Sequence, residues 1–395
     1  MATIVSSAEA LAAQRRLYGL VLLTVLVHLA YAGSRITLAL FALMDLKASA
    51  LTVGALISLL AALPMLFSVH TGRWTDRVGV WLPMVLGTGA VTFGTVLAAA
   101  LPQLTTLFVS SAFIGSGFML FHIAVNHAVG TMGAPERRAK NFGLLALGFS
   151  VSNFLGPAIV GFAIDAIGHR ITFLLLAGSA CTALIVLLFR RFDAGRAAAV
   201  TGSGERRLTD LLKSRTLRRV FVVSAVLSMA WDAFSFMAPV YAAQELRLSA
   251  SAIGLILGVF GAAIFFVRLV FPLLVHRVTE WQMLLYAMFS SAVCLALFPL
   301  IHTVPLLVGL AFILGLGLGG AQPMIMSLLY SRAPPGRGAE ALGVRTLLLN
   351  ISQTAIPLLF GALGTALGMS PVFWAVAAAL ALGGWYAAPR KLPGQ

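Results

Sequence analysis

Hydrophobic residues in this chain gather into long runs separated by short polar breaks. Twelve runs can be counted between Leu17 and Ala388, centred near residues 30, 60, 91, 117, 153, 180, 230, 261, 290, 317, 354 and 380. Each is long enough to cross a hydrocarbon core about 30 Å thick. Glycine (38) and proline (16) fall inside many of the runs, as they do in membrane helices. The pattern predicts an all-α membrane protein of twelve transmembrane helices, with almost no room for a soluble domain. The first run is too long for a cleaved signal and is followed at once by another, so it reads as a retained helix.

The runs carry an internal repeat at a constant offset of 200 residues, with no gap. Gly72, Arg77, Val78 and Trp81 fall opposite Pro272, Arg277, Val278 and Trp281. Gly115, Gly117 and Gly143 meet Gly315, Gly317 and Gly343. Ser152, Pro157, Gly161 and Gly168 meet Ser352, Pro357, Gly361 and Gly368, and Asp45, Leu46, Ser49 and Gly54 echo Glu245, Leu246, Ser249 and Gly254. A duplication this long in an apolar chain predicts two like-folded six-helix bundles, the plan of a transporter rather than of a channel or an anchored enzyme. The expected organisation is an N-terminal segment 1–16, a first bundle 17–189, a linker 190–217, a second bundle 218–388 and a tail 389–395.

With 60% hydrophobic and 10% charged residues, the composition departs far from soluble domains, in which about 25% of residues are charged. The net charge of +15 would suit a nucleic-acid partner, but its placement argues otherwise. If the N-terminus is cytoplasmic, 21 of the 27 Lys and Arg residues fall in cytoplasmic segments, three outside (Lys47, Arg170, Arg247) and three within spans (Arg35, Arg268, Arg345). That is the positive-inside bias, and it puts both termini in the cytoplasm. The Ala/Gly/Ser-rich stretch between Arg190 and Arg219 reads as a flexible hinge that can also meet anionic lipid headgroups. Cys181 and Cys294 lie inside spans without repeat partners, as small apolar residues rather than a disulfide or a metal site.

After the second run stands Gly72-Arg73-Trp74-Thr75-Asp76-Arg77-Val78-Gly79. It reads as a cytoplasmic loop, its glycines allowing a tight turn. This stretch resembles the G-x-x-x-D-R-x-G signature of the major facilitator superfamily. The resemblance implies that superfamily's fold and a latch in which Asp76 faces the start of the eleventh helix, so Gly72, Asp76, Arg77, Gly79 and Arg345 form the expected latch. The second-half copy has His276 and Thr279 in place of the Asp and the second Gly. In the fifth run, Ser152, Gly156, Pro157 and Gly161 resemble a degraded form of the G-x-x-x-G-P-x-x-G-G pattern of the superfamily's proton-coupled drug exporters. Small residues and a proline also serve close helix packing there. In the fourth run, Gly115 and Gly117 match such exporters, but Ser111 stands where many carry an arginine implicated in proton coupling. Gly315 to Gly320 satisfies a dinucleotide fingerprint only in letters, since no strand precedes it. No Walker motif is found, and neither cofactor nor metal is expected.

Ionisable residues in mid-span are costly and mark functional sites. Asp232, in the seventh run, is the only acidic residue so deep and is the candidate proton carrier. His28, Tyr31 and Arg35 share one face of the first helix, opposite Ser228, Trp231 and Ser235 in the repeat. In the superfamily fold the first and seventh helices face each other, so Arg35, His28 and Asp232 form the expected proton-coupling group. Arg35 has three readings: a partner for Asp232, a contact for an anionic substrate group, or a cap for backbone carbonyls. The expected substrate cavity comprises Tyr31, Arg35, His122, Asn126, Trp231, Asp232, Phe236, Gln322, Asn350 and Gln353. Phe234, Phe236, Tyr241, Phe265 and Phe266 form an aromatic wall or ordinary packing, and Arg268 is a snorkelling residue. His122 and His127 lack the carboxylate or Cys that would support a metal site.

These readings converge on secondary active transport by alternating access. The expected activity is proton-driven export of a small organic compound by a monomeric, non-enzymatic protein of a bacterial inner membrane, resembling drug:proton antiporters. Uptake or facilitated diffusion of a small organic anion is the alternative, with a lipid flippase or a transporter-like receptor behind it.

Overall fold

The computed structural model describes residues 7–132, 138–191, 214–274, 279–332 and 338–388. No strand occurs among them. Helix α1 spans Ser7–Leu40 and runs into a π-helical turn, Phe41–Asp45; α2 is Ala50–Val78, α3 Trp81–Ala100 and α4 Leu104–Thr131. The helical stretch Arg138–Phe189 breaks at Gly168 (φ 79°, ψ 166°) into two arms, residues 138–167 (α5) and 169–189 (α6). There follow α7 (Arg215–Gln244), α8 (Ala250–Leu274), α9 (Glu280–Leu297), α10 (Val304–Arg332), α11 (Gly338–Leu367) and α12 (Met369–Ala387). Counting α5 and α6 as one stretch, 11 described helices are long and apolar enough to cross a membrane. Their outer faces are apolar too: Phe162 is 57% exposed, Leu22 60% and Leu382 66%. Water would oppose such exposure by about 25 cal/mol per Å², whereas lipid tails accept it. The chain is an integral membrane protein. The hinge residues 192–213, His276 and the tail from 389 lie outside the described residues.

Several repeat positions are explained by the element ends they build. Ser49 and Ser249 are N-cap residues whose hydroxyls accept the N–H groups of Thr52 (3.2 Å) and Ala252 (3.3 Å) at the starts of α2 and α8, the usual service of a serine there. Lys47 (φ 51°) and Arg247 (φ 53°) share a left-handed backbone, and Gly168 and Gly368 share φ 79°. Glu245 accepts the Met369 N–H at 2.8 Å, placing a carboxylate at the positive end of α12.

The helices group into two compact units, one holding α1, α2 from Leu59 onward and α3–α6, the other Leu43–Ser58 and α7–α12. In the first, α1 packs on α5 and α6, and α3 on α4. Its core joins Leu20, Leu23 and Val27 of α1 to Met84 and Val91, Phe121 and Val125, and Leu187. Helix α1 is tied at consecutive carbonyls: Ser152 Oγ donates to Val25 O (3.1 Å) and Ser179 Oγ to Leu26 O (3.0 Å). A Cβ on Gly117 would lie 2.5 Å from Gly87 O, and one on Gly115 would strike the Leu60 backbone. In the second unit α7 packs on α11 and α12, and α10 on α8 and α9. A ladder of rings runs through it from Trp231 by way of Phe260, Phe234 and Phe298 to Tyr241 and Phe373. A Cβ on Gly315 would lie 2.5 Å from Phe260 O, so the glycine-rich run of α10 serves helix contact.

One expectation about local structure needs correction. The stretch from Gly72 to Val78 is not a loop but the last two turns of α2. The turn is made by Gly79 alone, with φ 84°. The helical backbone continues through the polar segment, with the buried Thr75 hydroxyl donating to Thr71 O at 2.8 Å.

Candidate functional site

In the first unit, α1, α4 and α5 bring two imidazoles and three aromatic rings into one cluster. His28 is 8% exposed, and its Nδ1 is buried with no partner among the described residues. Its ring lies 5.3 Å from Phe118 and 5.0 Å, edge to face, from Phe149. Tyr31 stacks on Phe118 with centroids 4.0 Å apart and planes at 11°. His122, one turn beyond Phe118 on α4, is exposed and lies 5.6 Å from Phe118 and 5.3 Å from Phe149. Arg35 continues the same face of α1, half-buried, and within its own unit makes no hydrogen bond or ion pair among the described residues. Asn126 instead donates Nδ2–H to His122 O at 2.8 Å, a local bond within α4. Ser111, at the position where exporters often carry an arginine, is fully buried.

In the second unit, Asp232 is 4% exposed on α7 and its Oδ2 accepts the Ser352 hydroxyl of α11 at 3.0 Å. Trp231 beside it is half-buried, at the start of the aromatic ladder. Phe236 is 2% exposed, and Phe234 and Tyr241 are equally enclosed. These three side chains are core of the second unit, and only Phe266 among the suggested wall faces outward strongly, at 53%. Arg268 does not simply snorkel, for its Nη2 donates to Gln322 Oε1 at 2.7 Å. Gln353 is exposed and Asn350 half-buried on α11. Arg345, 6% exposed, donates Nε–H to Ser224 Oγ of α7 at 3.0 Å. Of the remaining latch residues, Arg77 is exposed at the end of α2, and the Asp76 side chain lies outside the described side chains. On α5, Ser152 bonds α1, and a Cβ on Gly156 would meet Ala32 and Gly33 of α1 at 3.8–3.9 Å.

Sequence reasoning passed over Ser352. It entered only as the repeat partner of Ser152, a scaffold position. The two serines do different work: Ser152 bonds a carbonyl of α1, while Ser352 bonds the carboxyl that α7 alone carries. The sequence held no signal for it, because the contact between α1 and α5 that the repeat would carry over to α7 and α11 is itself a finding of the structure.

An integral membrane protein of repeated helical halves, with ionisable side chains set inside apolar helices, belongs to the class of secondary transporters. Residues 20–347 match the model of the Major Facilitator Superfamily, and the chain belongs to that family, whose members are transporters. It is 23% identical over 346 residues to the quinolone resistance protein NorA of Staphylococcus aureus (strain MSSA476), covering 86% of this chain and 87% of that protein. It is 27% identical over 344 residues to the class G tetracycline resistance protein of Vibrio anguillarum, covering 83% and 85%. Among solved structures, it resembles a variant of the nucleoside transporter NupG (TM-score 0.80, 13% identity, 94% of this chain and 98% of that one). It also resembles a peptide transporter POT in complex with sulfate (TM-score 0.78, 19% identity, 94% and 93%). These structural likenesses speak for the fold alone.

Proposed function

We propose that this protein is a proton-coupled exporter of a small organic compound, working by alternating access as a twelve-span monomer in a bacterial inner membrane with both termini cytoplasmic. Asp232 carries the coupling proton, and Ser352 holds its carboxyl. The observation that carries the reading is a carboxyl buried in an apolar helix and accepting the Ser352 hydroxyl of α11. A charge placed so deep is costly unless it serves transport. The resistance proteins to which the chain is similar support export over uptake.

The test uses proteoliposomes with an imposed pH gradient and tetracycline or a quinolone as trial substrates. Wild-type protein accumulates substrate against its gradient at the expense of the proton gradient. Asp232→Asn loses that accumulation and retains substrate exchange, and undiminished accumulation by the variant would remove Asp232 from coupling. Uptake of an organic anion is the second reading, favoured by Arg35; transport in the direction of the proton flow would select it.

A further inference from the structure

The face of α1 that carries His28, Tyr31 and Arg35 has a chemical character of its own. Tyr31 and Phe118 are stacked face to face with centroids 4.0 Å apart, so a further ring can extend the stack on an outer face of one of them. One turn along α1 from Tyr31, about 6 Å by helix rise, stands Arg35, a fixed guanidinium with planar donors suited to a carboxylate. Nothing among the described residues of its unit pairs with it, although it sits inside an apolar span. Beside the stack are His28 and His122, with Phe149 between them. Each neutral imidazole offers one donor and one acceptor, and the buried Nδ1 of His28 lacks a partner among the described residues. The acidic residues among the described residues of this unit, Glu9, Asp76 and Asp165, all stand towards helix ends. No carboxylate belongs to the middle of α1, α4 or α5, so within its own unit this surface offers a fixed cation, Arg35, and no fixed anion.

We infer that the α1–α4–α5 face of the first unit is a binding site for a planar aromatic carboxylate. Its ring system extends the Tyr31–Phe118 stack, its carboxylate is held by Arg35, and polar ring substituents are met by His122. The inference rests on the transport reading and narrows it to aromatic acids. Arg35 thereby serves substrate selection, while protons are handled on α7.

Equilibrium binding to the purified full-length protein tests this with three naphthalenes of one shape and different charge: 2-naphthoate, 2-naphthamide and 2-naphthylmethylammonium. The carboxylate is expected to bind at least about tenfold more tightly than the ammonium compound, a difference of about 1.4 kcal/mol. Arg35→Gln is expected to weaken 2-naphthoate by about tenfold or more while leaving 2-naphthamide unchanged. Phe118→Ala weakens both. Equal or tighter binding of the ammonium compound overturns the inference, as does an Arg35→Gln protein that holds 2-naphthoate as well as wild type, or a wild-type protein that binds none of the three. Should Arg35→Gln fail to fold, the charge series on the wild-type protein decides alone. Gradient-driven accumulation by Asp232→Asn tests the transport proposal separately, while the charge series on the wild-type protein tests this inference. Proton-driven tetracycline transport without naphthoate binding would sink only the aromatic-acid assignment.

Discussion

Among single residues, the contact that matters most is between Ser352 and Asp232. A hydrogen bond to an ionised or ionisable group is worth more than a neutral one, although hydroxyl bonds between membrane helices average nearer 0.6 kcal/mol. Ser352→Ala is therefore expected to lower stability by about 1 kcal/mol. The same change in an Asp232→Ala background should cost measurably less, because the partner is already gone. Thermal unfolding of the four proteins in detergent measures the difference, and equal costs in both backgrounds would mean that the hydroxyl does nothing for the carboxyl. Asp232 was legible in the sequence because a lone acid in an apolar run is visible by composition. Ser352 was not, because a serine in a membrane helix is ordinary and its meaning depends on which neighbour it reaches. Arg268 shows the same limit: its stem suggested snorkelling, yet its head finds Gln322 across to α10.

At the level of helices, the repeat was legible to the residue, since the paired caps Ser49 and Ser249 and the paired breaks at Gly168 and Gly368 occupy matching positions. Periodicity alone misjudged where α2 stops. A polar, charged stretch after a membrane run looks like a loop, but the membrane boundary and the helix end are different things, and α2 continues two turns past its apolar part. The two signature glycines therefore have unlike duties. Gly72 is helical with nothing within 4 Å of an added Cβ, whereas Gly79 has open space but φ 84°. Gly72→Ala should be neutral or stabilising by up to about 1 kcal/mol, since alanine favours helix. Gly79→Ala should cost about 1–2 kcal/mol from the left-handed backbone. Thermal midpoints of the two variants decide it; a reversed order would mean that Gly72 makes a contact of its own. The aromatic wall also depended on geometry that sequence lacks: helical spacing places Phe234 and Phe236 anywhere around α7, and packing puts both inside.

For the molecule as a whole, α2 has a position no run of letters announces. Its first turns, Ala50–Ser58, group with the second unit, and the rest of the same helix with the first. The seam that holds the first turns is a backbone contact. Gly54 meets the Pro357 carbonyl of α11, a Cβ on Gly361 would lie 2.6 Å from Ala50 O, and the Leu51 N–H donates to Thr365 Oγ1 at 2.9 Å. Backbone seams made by glycines hold without bulky side chains that would have to be repacked on parting. Alternating access, as proposed above, is a rocking of one half against the other, and α2 is a helix grouped with both units. The seam with α11 brings backbones together at Gly54 and Gly361 and adds a single side-chain hydroxyl, and under the alternating access proposed above it is expected to open during transport. Replacing Cys181 and Cys294 with alanine, then placing cysteines at Leu51 and Thr365, permits the seam to be closed with a short thiol cross-linker. Substrate transport into proteoliposomes should fall to background on cross-linking and return when a cleavable linker is reduced, while each single cysteine is unaffected. Full transport through the cross-linked protein would mean that α2 and α11 stay together throughout the cycle and that any bending lies elsewhere along α2, which carries Pro64 within the helix.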